Sequence, residues 1–187
     1  MENNIYLTND QKMNEVYQNT EENTQEFLKI SEDIVQKTSA SLDELIKEIY
    51  DNVVQQDASD DTLEAYILEL SSALYFTGSK LENMGIKDDL SKLSAKEVFN
   101  NSYLSAPVDE KGKKPTVAEL TATAEDASKY ETIMNNIYSR AYRQLKYKVD
   151  AAYELLASLR KILSKRMQDN ELNAHRNVNN VVIGIDE

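Results

Sequence analysis

Residues 116–183, a run of 68, contain neither glycine nor proline. A backbone without those residues has few inexpensive places to reverse direction, so the run is constrained to long regular structure. The whole chain of 187 residues has only four Gly and two Pro, which excludes a turn-rich β-sandwich or barrel. Within the run, Leu120, Ala124, Ala127, Met134, Ala141, Leu145, Ala152, Leu155, Leu159 and Ile162 recur at intervals of threes, fours and sevens. Val149, Leu156 and Leu163 widen that stripe. The spacing predicts one helix from about 117 to about 168, roughly 75 Å long at 1.5 Å per residue. Pro115 and the capping box Thr116-Val117-Ala118-Glu119 mark its start. Length without internal caps points to a coiled coil or an extended hairpin, with the seam interrupted at Glu131, Tyr138 and Lys148. So small a chain cannot cover a helix of that length, so part of it is expected to pack on another subunit or partner.

The remainder also reads as helical. Residues 1–25 are polar and Asn-rich, and are expected to form a flexible, acidic, weakly helical arm. Residues 26–104 form a helical region that begins with Phe27, Ile30, Ile34 and Val35 and pauses at Thr38-Ser39-Ala40. The capping box Ser41-Leu42-Asp43-Glu44 then opens a helix bearing Leu42, Leu45, Ile46, Ile49 and Val53. Asp60 or Asp61 is expected to cap the next, with Leu63, Tyr66, Ile67, Leu70, Leu74 and Leu81 on its apolar face and Gly85 as its stop. A further box, Ser94-Ala95-Lys96-Glu97, starts a short helix with Val98 and Phe99. Residues 105–115 hold both prolines and read as a loop. The long basic helix occupies 116–169, and 170–187 form a flexible C-terminal tail. The expected fold is all-α, with helical hairpins plus one very long C-terminal helix and no sheet.

Charge is distributed unevenly. The net charge is −12, yet residues 1–69 carry 17 acidic side chains against four lysines, a local charge of −13. Residues 133–168 carry eight basic side chains against two acidic ones, a local charge of +6. Such asymmetry is a hint of a nucleic-acid surface or an acidic tail, and equally describes ordinary solvated helix faces.

Catalytic chemistry lacks its parts. There is no cysteine, and His175 is the sole histidine, so thiol catalysis, Ser-His arrangements and His or Cys metal sites are not expected. Gly78, Gly85, Gly112 and Gly184 are too scattered for a phosphate-binding loop or a dinucleotide fingerprint. No EF-hand spacing surrounds Asp57, Asp60 and Asp61, or Asp88 and Asp89. The chain is therefore read as a non-enzyme with no metal and no cofactor. No apolar run reaches the roughly 18 residues of a membrane span, and no signal-like apolar segment follows Met1, so a cytoplasmic protein without membrane contact is expected.

Binding chemistry is better supplied. Tyr138, Arg140, Tyr142, Arg143, Lys146, Tyr147 and Lys148 form the densest basic–aromatic stretch in the chain. Guanidinium and ammonium groups neutralise phosphates while tyrosine faces stack unpaired bases, so these seven residues are the candidate nucleic-acid contacts. The same tyrosines fit equally well as core or interface residues with the basic side chains snorkelling around them. At the C-terminus, Val181, Val182, Ile183 and Ile185 form a β-prone apolar segment that could bind a partner by adding to a sheet edge, or fold back on its own chain.

The helical pair around Leu63–Leu81, the Lys-rich linker, Thr116-x-x-Glu119 and Lys148-Val149-Asp150-Ala151-Ala152…Leu155…Leu159-Arg160 together resemble the UvsY-like recombination mediators of tailed phages. The resemblance covers about residues 62–168. It implies single-stranded DNA binding, ring-like homo-oligomers built through helical contacts, and assistance in loading a recombinase onto protein-coated strands. Arg140, Arg143, Lys146 and Lys148 are then the DNA-facing residues. The long acidic N-terminal third and the C-terminal tail depart from that pattern. The alternative function is a phage virion component or host-interaction protein, located in the host cytoplasm, that works through helical protein contacts.

Overall fold

The computed structural model describes residues 9–54, 56, 58–105 and 114–183, with side chains given for most of residues 18–174. Every regular element among them is helical: α1 (Asn9–Ile49), extended by a π-helical turn over Tyr50–Val54, α2 (Asp60–Ser105), α3 (Val117–Ala127) and α4 (Lys129–Ile183). The expected all-α class therefore holds, and no strand occurs among the described residues. Two compact units form, one from Met1–Lys37 with Asn83–Gln144 and the other from Thr38–Glu82 with Leu145–Glu187.

Heptad spacing builds the core of the second unit. Leu42 and Ile49 of α1, Leu63, Leu70 and Leu74 of α2, and Val149, Ala152, Leu156 and Leu159 of α4 are all buried in one cluster. Residues seven apart return to the same helix face, so each helix presents one seam to the other two. Ala152 is fully buried and has little bulk, which lets neighbouring backbones approach closely. Polar groups tie the rim of this core. The Tyr66 hydroxyl accepts from Asn52 Nδ2 at 2.5 Å and donates to Glu48 Oε1 at 3.1 Å. Burial pushes the Tyr66 phenol above its ordinary pKa, an effect the Glu48 carboxylate reinforces and the Asn52 amide opposes. Arg166 donates to the Ala58 carbonyl and pairs with Asp60 at 3.3 Å, pinning the α1–α2 connection onto α4.

Several helix boundaries differ from the expected ones. The single helix over 117–168 is broken at Ser128, which separates α3 from α4 with φ −93° and ψ 6°. Its hydroxyl donates to the Ala124 carbonyl at 2.9 Å, while Thr132 back-bonds to the Ser128 carbonyl at 2.8 Å. Hydroxyls bonding back along a helix in this way bend it. Gly85 does not stop α2, because the helix continues through it to Ser105. Ser41 and Ser94 likewise lie inside helices rather than at their starts, and Thr38–Ala40 stays helical within α1. Ser59, rather than Asp60 or Asp61, caps α2, accepting from the Thr62 amide at 3.2 Å. The backbone is helical over 9–25, within the segment expected to form a weakly helical arm, and over 170–183, within the segment expected to form the C-terminal tail.

The Thr116 capping box forms as its sequence predicts. The Thr116 amide donates to Glu119 Oε2 at 2.8 Å, and the Glu119 amide donates to Thr116 Oγ1 at 3.3 Å. That backbone hydrogen bond from Thr116 holds the Glu119 carboxyl below its ordinary pKa.

The two helical glycines of α2 meet different surroundings. A Cβ at Gly78 would touch nothing within 4 Å, whereas one at Gly85 would sit 3.3 Å from Tyr142 Cε2. Replacing a helical glycine by alanine gains about 1 kcal/mol of helix propensity. Gly78→Ala is therefore expected to stabilise the fold by nearly that amount in urea unfolding. Gly85→Ala is expected to gain nothing, because the Tyr142 ring must give way. Equal gains at both sites would show that Tyr142 does not pack on α2.

Candidate nucleic-acid interface

The seven basic and aromatic residues of the 138–148 stretch do not share one environment. In the first unit, Tyr138 and Tyr142 are half-buried and the Tyr142 ring packs over Gly85. Arg140 and Arg143 are exposed, and Arg143 Nε donates to the Ser139 carbonyl one turn back at 3.2 Å. In the second unit, Lys146 and Tyr147 are exposed, Tyr147 by 76%. Lys148 instead turns inward. Its ammonium donates to Ser39 Oγ at 3.0 Å and to Asp43 Oδ2 at 2.5 Å. Ser39 donates to the same carboxylate at 2.8 Å, so Lys148 has partners within its own fold.

Arg140 and Arg143 border a groove of about 310 Å³ in the first unit, lined by Thr24, Phe27 and Leu28 of α1 and by Ile133, Asn136 and Ile137 of α4. Ile133, Ile137 and Arg140 recur at intervals of four and three, so they fall on one face of α4. Phe27 and Leu28 are half-buried and supply the opposite wall. Among the described residues, no carboxylate pairs with either guanidinium. The floor is thus largely apolar, with Thr24 and Asn136 as polar positions and two cations at the edge. Such a site accepts a flat or apolar group while its anionic substituent meets a planar, multidentate donor.

Hydrogen bonds hold α4 at this site. Ser139 donates to Asp88 of α2, and Ser91 contacts Asn135 at 3.4 Å. Asp88 is therefore engaged in packing α2 on α4 rather than in an open acidic cluster. Among the described residues, no group of three or more His, Asp or Glu side chains converges as a metal site. Over the same residues, no helix is long and apolar enough to cross a membrane.

Of the expected contacts, Arg140 and Arg143 come together at the groove, while Tyr142 and Lys148 are taken up by packing and pairing. The α1 wall was not legible as part of a site, because Phe27 and Leu28 are more than a hundred residues from Arg140. The only signal pointing to them was the apolar stripe that Phe27 begins. Val181, Val182 and Ile183 lie on the helical backbone of α4, not in a strand. Their side chains, together with Ile185 and the His175 ring, fall outside the described residues. No family model, curated protein or solved structure significantly matches this chain.

Proposed function

We propose that this chain is a non-catalytic, self-associating helical protein that binds single-stranded DNA at the Arg140–Arg143 groove. Its role is that of an accessory factor in phage recombination, of the mediator kind that the resemblance implies, acting in the host cytoplasm. The observation that carries this reading is the pair of exposed guanidiniums, unmatched by any described carboxylate, beside an apolar groove. Two arginines neutralise neighbouring phosphates, and Phe27, Ile133 and Ile137 receive an unstacked base without selecting its sequence. Lys146 and Tyr147, in the second unit, are also exposed.

Titration of a labelled single-stranded oligonucleotide across a salt series tests this reading. Binding at low salt should weaken as salt rises, with a log–log slope near −0.7 for each phosphate neutralised. An absence of binding at low salt overturns it.

A second reading has its own support. Leu68, Tyr75 and Phe76 of α2, in the second unit, are large and mostly exposed. Such a patch suits a virion or host-interaction protein that works through helical contacts. Under that reading DNA binding is absent, and the chain forms a stable complex with a protein.

A further inference from the structure

We propose that the outer face of α2 in the first unit, built on Ile86, Leu90 and Leu93, pairs antiparallel with the same face of a second copy of this chain. The inference deepens the reading that the protein self-associates, and rests on it.

Two stripes run along this part of α2. The inner one uses Met84, Asp88 and Ser91, at intervals of four and three. Met84 is buried, Asp88 accepts from Ser139, and Ser91 contacts Asn135. The outer stripe repeats the same intervals two residues later, with Ile86 at 51%, Leu90 at 59% and Leu93 at 53% exposure. Two residues correspond to about 200° around a helix, so the stripes face opposite ways. A helix lying on its own core needs one apolar stripe, and a second marks an interface.

The flanking charges identify the occupant. Asp89 and Lys96 lie on one side of the outer stripe, Lys87 and Ser94 on the other, and all four are exposed. Among the described residues, none of the three charges is ion-paired. In an antiparallel pair each flank meets the same flank of its partner. Setting Leu90 of one copy against Leu93 of the next then brings Asp89 opposite Lys96, twice over by symmetry. The same register places Lys87 opposite Ser94 rather than a second lysine, and lays Glu97 beside Ile86. A parallel, in-register pair would set Glu97 against Glu97 in the seam. The face is therefore self-complementary in one direction, as an isologous two-fold contact requires. A uniformly acidic or uniformly basic partner would leave Asp89 or the lysines opposed by like charge.

Size exclusion with light scattering on the full chain tests the pairing. The unchanged protein should elute as a dimer or a multiple of one, and Leu90→Asp with Leu93→Asp should halve the mass while circular dichroism stays the same. Asp89→Lys alone and Lys96→Asp alone should each weaken association by about tenfold, the effect of like charges brought face to face. The double exchange Asp89→Lys with Lys96→Asp should restore it. An oligomer indifferent to the Leu90 and Leu93 substitutions overturns this face and leaves self-association standing. A monomer in the unchanged protein overturns both. Loss in each single charge variant without recovery in the double one overturns the antiparallel register.

Discussion

Replacing Arg140 and Arg143 together with glutamate is expected to abolish single-stranded DNA binding while leaving the fold intact. Each exchange removes a cation from the groove edge and installs an anion, so the site swings by four charges. A unit charge pair about 4 Å apart in water is worth about 1 kcal/mol. The combined swing is therefore roughly 4 kcal/mol, or about 1,000-fold in affinity at low salt. The salt slope should also become shallower by about 1.4, because two phosphates lose their neutralising partners. Fluorescence anisotropy with a labelled oligonucleotide measures both quantities. Stability should hold, because both side chains are exposed and no described carboxylate loses a partner when they change. Among the described residues, the intramolecular bond at stake is that of Arg143 Nε to a carbonyl of its own helix. Lys148→Glu behaves differently: it places an anion against Asp43 and disturbs the second unit, even though Lys148 lies in the same basic stretch. Affinity within a few-fold of the unchanged protein after the double arginine exchange would remove the groove as the DNA site.

Leu70→Ala is expected to cost about 3 kcal/mol of unfolding free energy. Leu70 is fully buried, within the cluster that also holds Leu42, Leu63, Leu74 and Leu156. Truncation there forfeits transfer energy and leaves a cavity that three packed helices cannot close, which places the cost in the range of about 2–5 kcal/mol. Leu68, two residues earlier on α2, is 71% exposed, and Leu68→Ala should change stability by no more than about 0.5 kcal/mol. Urea unfolding of both variants with an unchanged m-value isolates the effect as one on stability. A cost below about 1 kcal/mol at Leu70 would mean that α2 is not clamped between α1 and α4 in the second unit.

Heptad spacing made much of the fold legible. Leu63, Leu70 and Leu74, read as one apolar face, are the buried face of α2, and Leu42 and Ile49 are that of α1. Thr116 and Glu119, read as a capping box, form one. Local punctuation was less faithful. Gly85 carries the signature of a helix stop, yet it serves as the place where the Tyr142 ring lies close against α2. Ser94 and Glu97 match a capping box within a helix that has already run for more than thirty residues. Ser128, within a stretch that reads as uninterrupted helix, is where the backbone breaks. A serine hydroxyl competes for helical carbonyls wherever it sits, and its neighbours determine whether it caps, bends or does neither. At the site, residue type alone marked Arg140 and Arg143 but could not separate them from Lys148 and Tyr142, whose partners Asp43 and Gly85 are distant in sequence.

By itself, the sequence determined that the regular structure among the described residues is helical. Apolar residues spaced three and four apart, with almost no glycine or proline, stabilise helices and leave strands and tight turns without support. It also determined that a cationic stretch lies on the last helix, because charge is a property of residues rather than of folds. Tertiary structure alone decided which of those cations stay available. Lys148 meets a carboxylate brought in by α1, whereas Arg140 and Arg143 border an apolar groove whose far wall comes from Phe27 and Leu28. A charge near a partner is neutralised and a charge at a groove edge is not. That difference depends on distances between residues far apart in the chain, which no local spacing encodes.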